Sequence, residues 1–170
     1  MPRGMTPPPL LVIAVGNPSR GDDALAPLLL QRLREWVARS GREDDIELLE
    51  DFQLQVEHAA DMQARELVLF LDAGLNTQPP YTLDRVQPHG GSALFSHALP
   101  PEDVLATYAR VYREPPPPSY VLCISGAAFE LGAALSRHGA QNLEAAYACA
   151  VELMHAANAA AWESLMCGRG

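Results

Sequence analysis

Six consecutive apolar residues, Leu-Leu-Val-Ile-Ala-Val at 10–15, run directly into Gly16-Asn17-Pro18-Ser19-Arg20-Gly21-Asp22-Asp23. An uninterrupted apolar run of this length, broken by Gly-Asn, reads as a short strand buried on both faces, the pattern of a parallel sheet covered by helices on each side. The glycines and the proline make a tight loop, and the acidic pair opens a segment of helical periodicity. This loop has neither the glycine spacing of a dinucleotide-binding turn nor the Gly-Lys-Ser/Thr end of a phosphate loop, and two carboxylates would repel a phosphate. Carboxylates at the carboxyl end of a first parallel strand suit a cation or a proton-transfer task instead.

The alternation continues along the chain. A helix is expected over 23–39, with Leu25, Leu29, Leu33, Trp36 and Val37 on one face and Arg32, Arg34 and Glu35 on the other. A strand over 46–50, a modest amphipathic helix over 54–64 and a third buried strand over 67–71 follow, with Asp72 ending that strand ahead of Ala73-Gly74. Residues 81–86 alternate as an edge strand does. A helix over 100–112 turns Val104, Leu105, Tyr108 and Val111 inward, and the prolines at 115–118 stop it and force an extended connector. A last buried strand covers 120–124, and one long alanine-rich helix over 140–165 closes the domain. The order predicts an α/β fold, a three-layer αβα sandwich on a mainly parallel twisted sheet of about five strands. It forms a single domain over 10–166, with 1–9 and 167–170 as loose termini.

Composition narrows the partners. A length of 170 residues matches one domain with a full core, and a net charge of −9 argues against nucleic-acid or anionic-membrane binding, which requires clustered Lys and Arg. The three cysteines, Cys123, Cys149 and Cys167, form no C-x-x-C and cannot all pair with one another, so a reducing, cytoplasmic compartment is expected. The apolar run after the leader is too short for a signal-peptide core or a membrane span.

In open α/β sheets ligands bind beyond the carboxyl ends of the strands, where the strand order reverses. The right-handed crossover rule sets the third strand beside the first, so Asp72 and the 16–23 loop should share one crevice. Either Asp22 or Asp23 alone would suffice to cap the helix and match its dipole, for about 1 kcal/mol, which leaves the second for another task. Asp72 reads equally as a strand-end turn residue. His97, in the loop before the helix at 100–112, is the natural third member, with His89 its competitor; a lone loop histidine is more often an ordinary surface residue. Asp23, Asp72 and His97 together would make an O,O,N set with open positions, suited to a borderline divalent ion held loosely. His58 and His138 read as helix or turn surface, and His155 as partly packed in the last helix. No G-x-S-x-G elbow exists, and Cys123, Cys149 and Cys167 sit where structural thiols do.

At these residues the sequence resembles the nickel–iron hydrogenase maturation endopeptidases. The resemblance rests on Gly16-Asn17-Pro18-Ser19-Arg20-Gly21-Asp22-Asp23 after the opening strand, on Asp72, and on His97 with Leu99 and Asp103-Val104-Leu105, and it spans about 10–160 in order and spacing. It implies that Asp23, Asp72 and His97 are the metal-contacting and catalytic residues. It also implies a processing protease that removes the C-terminal extension of the hydrogenase large-subunit precursor once nickel is inserted. The nickel then comes with the substrate, and the free protein holds little or no metal. Asp22 would mainly cap the first helix and orient the loop, with Gln53 and Glu130 as rim contacts for the peptide. A monomer is expected. Two stretches depart from the family pattern: Ala24-Leu25-Ala26 where many members have glycine, and Asp51-Phe52-Gln53-Leu54-Gln55 where many have Gly-Gly-Thr. The second borders the crevice, so it bears on which hydrogenase is processed; its Gln-Leu-Gln is similar to the branch serving soluble cofactor-reducing hydrogenases. Two other readings of the residues stand beside this one: a non-catalytic module that checks the metal state of the same partner, and a stand-alone divalent-metal hydrolase.

Overall fold

The computed structural model describes residues 5–89 and 99–168. Five strands form one sheet in the order β2-β1-β3-β5-β4, where β1 is Leu10–Val15, β2 Ile46–Asp51, β3 Leu67–Gly74, β4 Tyr81–Val86 and β5 Ser119–Ser125. β1 pairs in parallel with β2 on one side and β3 on the other, and β3 pairs in parallel with β5. Only the edge strand β4 is antiparallel, hydrogen-bonded to β5. The chain leaves β1 toward β2 and then crosses back to β3, so the switch point falls between β1 and β3, as the crossover rule anticipates.

Alternation along the strands sends successive side chains to opposite layers. Leu10, Val12 and Ala14, with Leu67, Leu69 and Leu71, pack under α1 (Leu25–Ser40), α4 (Arg137–His155) and α5 (Ala159–Cys167). Leu11, Ile13 and Val15, with Val68 and Phe70, pack under the one-turn α2 (His58–Asp61) and under α3 (Pro101–Tyr112). The six residues of β1 are all buried, which explains why a run with no polar interruption is needed there. The three-layer α/β architecture is therefore the expected one.

Several boundaries differ from the sequence expectation. The first helix is preceded by a separate 3-10 turn at Gly21–Ala24 and begins only at Leu25. The helix expected over 54–64 shrinks to α2, because the His58 ring accepts a hydrogen bond from the Gln55 N–H (2.8 Å) and closes a turn there. His58 is consequently buried rather than on the surface, its Nε2 3.3 Å from Asp51 Oδ2. Val111 is exposed, while Val104, Leu105 and Tyr108 of α3 are buried. The long final helix is two: α4 ends at His155, and the Asn158 side chain accepts the Ala161 N–H (2.8 Å) to cap α5. At the other end of the chain, the Pro9 carbonyl accepts from Glu66 and Leu67 N–H, and the Pro8 carbonyl from Arg65 Nη1, which ties 8–9 to the start of β3. No described helix is long and apolar enough to cross a membrane.

Candidate functional site

The loop after β1 owes its shape to two glycines. A Cβ on Gly16 would lie 2.0 Å from the Asp23 carbonyl oxygen, and Gly21 has φ +55 with Ala128 O only 2.3 Å from where its Cβ would be. Side chains at either position would force the loop open. Asn17 turns back on itself, its carbonyl accepting the Arg20 N–H (3.0 Å) and its Oδ1 the Ser19 N–H (2.9 Å). Asp23 Oδ2 in turn accepts the Asn17 N–H at 2.6 Å, so its carboxylate is held by the very loop it closes.

Asp72 arrives from the other side of the switch point. β3 continues through it to Gly74, with Asp72 in register with Cys123 of β5, so it is a strand residue rather than a strand-end turn residue. Its Oδ1 accepts the Ala73 N–H (2.8 Å). Asp23 and Asp72, both half-buried, line one cavity of about 520 Å³ together with Asn17, Arg20, Phe52, Gln53 and Leu99. Burial pushes the Asp72 carboxyl up to about 6, against the lowering effect of the Ala73 N–H, and the negative charge of Asp23 adds to the rise. Two acids from separate segments thus meet at the switch point, as the sequence pattern requires. Among the described residues no three His, Cys, Asp or Glu side chains converge as a metal-holding group. His97 lies outside the described residues. His89 is exposed and joined to α3 through its N–H to Glu102 O (3.3 Å).

Asp22 does something else than expected. It caps no helix; its side chain is fully buried and accepts four hydrogen bonds from the loop between β5 and α4. The donors are the N–H groups of Ala127 (2.6 Å), Ala128 (3.2 Å) and Ser136 (2.8 Å), with the Ser136 hydroxyl (2.6 Å) as the fourth. Ser136 Oγ then accepts the Gly139 N–H and caps α4, so one carboxylate links the motif loop to a helix start far along the chain. Burial alone would raise its pKa, but those hydrogen bonds outweigh burial and hold Asp22 below the ordinary carboxylate value. Nothing in the local pattern distinguishes this role from capping; only the partner loop does.

Of the two rim candidates, Gln53 lines the cavity, and Glu130 is exposed on the β5–α4 loop and is not among the lining residues. That loop still abuts the motif loop, through Gly132 N–H to Ser19 O (2.7 Å). Ser125 Oγ and His138 Nε2 lie 3.0 Å apart, with Asn142 Nδ2 3.1 Å from the same nitrogen. Ser125 is buried and Asn142 also donates to its carbonyl, so the cluster pins α4 to the end of β5. His138 is accordingly half-buried and packed rather than a surface residue. All three cysteines are free.

Fold and site together define an open α/β protein with an acidic crevice at its topological switch point. That fold is shared with solved hydrogenase maturation proteases. The nickel–iron hydrogenase maturation protease HycI from Thermococcus kodakarensis KOD1 superposes with a TM-score of 0.65 at 20% identity, over 88% of this chain and 93% of that one. The hydrogenase maturating endopeptidase HybD from E. coli gives 0.65 at 21% identity, over 86% and 93%. A hydrogenase 2 maturation peptidase from a Thaumarchaeota archaeon gives 0.58 at 19% identity, over 85% and 97%. No protein-family model and no curated protein matches the sequence. At these identities the likeness establishes the fold.

Proposed function

We propose that the protein is an endopeptidase that removes the C-terminal extension of a nickel–iron hydrogenase large-subunit precursor after nickel insertion. The observation that carries this reading is the pairing of Asp23 and Asp72 in one crevice, with the Asp72 carboxyl raised to about 6 by burial and by its neighbour's charge. Such a pair is costly when both acids are ionised; a bound divalent cation, or a proton on Asp72, relieves it. The fold shared with maturation proteases agrees with the reading.

The nickel in this scheme belongs to the substrate. Asp23, presented by its hydrogen bond from Asn17, and Asp72 would contact it through oxygen, with His97 retained from the sequence pattern as the nitrogen donor. Two roles remain for the carboxylates once substrate is seated. Either the metal polarises the scissile carbonyl or activates water, or it serves as a recognition signal while a carboxylate takes the proton of the attacking water. Asp72 fits the second role by its titration: near neutral pH it is ionised, yet basic enough to accept a proton. The reading includes a monomeric, cytoplasmic protein with no tightly bound metal of its own.

The test is incubation with nickel-loaded precursor followed by mass spectrometry. Loss of a C-terminal peptide supports the endopeptidase, and an intact mass with a stable complex makes the protein a binder. Turnover of small molecules without a protein partner would point to a stand-alone hydrolase. Precursor stripped of nickel should remain uncut.

A further inference from the structure

Amide hydrolysis in this crevice faces an electrostatic problem. When water adds to the carbonyl, negative charge develops on the carbonyl oxygen beside two carboxylates, and like charges in a partly buried site repel. A hydrogen-bond donor aimed at that oxygen would stabilise it, whether the substrate's nickel polarises the carbonyl or serves only for recognition. Arg20 is the only cationic side chain among the described residues lining the cavity. No ion pair between described residues involves it. It is fixed on both sides by the backbone, its N–H donating to Asn17 O and its carbonyl accepting the Asp23 N–H, each at 3.0 Å. Asp23, three residues on, is turned to the Asn17 N–H instead of serving as its counter-ion. A permanently charged, exposed arginine therefore stands on a fixed backbone at the edge of an acidic cavity, paired with no carboxylate of the described residues.

We propose that Arg20 donates to the carbonyl oxygen of the peptide bond being cut and stabilises the oxyanion that forms there. This deepens the endopeptidase reading and rests on it. A lone pair of the attacking water forms the new C–O bond, the carbonyl π pair moves onto oxygen beside Arg20, and Asp72 receives the water proton. On collapse the carbonyl re-forms, the C–N bond breaks, and the proton passes to the leaving nitrogen. No further reactant enters.

The experiment compares wild type, Arg20→Ala and Arg20→Lys on nickel-loaded precursor over a range of precursor concentrations. Arg20→Ala should lower the limiting cleavage rate about 100-fold, the cost typical of one lost oxyanion donor, while half-saturation moves no more than about three-fold. Arg20→Lys should restore part of the limiting rate because it keeps the charge. Both variants should melt with wild type, since the side chain is exposed. A limiting rate for Arg20→Ala within about three-fold of wild type, or a loss seen only in half-saturation, overturns the assignment. A wild-type protein that cuts no precursor overturns the underlying function instead.

Discussion

Asp22 and Asp23 are joined by one peptide bond and work in opposite surroundings. The Asp22 carboxylate is enclosed, takes four hydrogen bonds from the β5–α4 loop and titrates below its ordinary range. Across the loop, Asp23 and Asp72 face a cavity, and Asp72 is raised to about 6 by burial and by its neighbour's charge. The clamp spends a charge on holding the molecule together. The crevice accepts an unfavourable charge pair, and that disfavour is available to whatever ligand relieves it. A carboxylate surrounded by donors holds loops together; one set beside another carboxylate carries a cost that a cation or a proton can relieve.

The sharpest way to break this contrast is to remove charge from the crevice. Asp72→Asn or Asp23→Ala should cut precursor processing by roughly 10²–10⁴-fold, as loss of a general base or cation ligand does, measured by the mass of the precursor over time. Normal processing by either folded variant would remove that residue from the mechanism. The complementary change is Asp22→Asn, whose amide presents N–H where buried N–H donors already point. It should cost about 3 kcal/mol in chemical denaturation, through unsatisfied buried donors. An unchanged denaturation midpoint would show that the clamp is not structural.

The two carboxyls should also give stability opposite dependences on pH. Asp72 has a folded-state pKa above the unfolded value of 3.8, so the folded state binds more protons between about 4 and about 6, and stability falls as pH rises through that window. Asp72→Asn should therefore be more stable than wild type at pH 7.5 by about 3 kcal/mol, and the gain should vanish near pH 4. Asp22 has a lowered folded-state pKa, so its contribution is present above the unfolded value and is lost as pH falls through the folded one. Urea titrations of both asparagine variants at several pH values measure this directly, and parallel curves would refute it. The smallest effect is expected at Gln53, exposed on the crevice wall. Gln53→Ala should leave the melt unchanged within about 0.5 kcal/mol and shift the relative cleavage of two different precursors by a few-fold.

Much of this was legible along the chain. Buried strands announce themselves as apolar runs, and the 25–37 periodicity marks the inward face of α1, because burial patterns in single elements are local facts. The convergence of Asp23 and Asp72 followed from handedness, which constrains where a third strand returns. Other features were masked by their composition. Alanine on both sides of Asn158 gives uniform helix propensity, so the break between α4 and α5 disappears into one apparent helix although Asn158 is itself a capping residue. The extension of β3 past Asp72 depends on β5 continuing to Ser125 beside it, a pairing with a segment about fifty residues away.

Sequence alone determined the layered sheet, its strand succession and the pairing of acids across the first and third strands, since each follows from short-range patterning and chain chirality. The family resemblance had already set Asp23 in the crevice; only the folded molecule decided that Asp22 is locked inside by hydrogen bonds instead of capping the first helix. That choice is made by hydrogen-bond donors 105 to 114 residues away, and no local pattern carries information about a neighbour that distant.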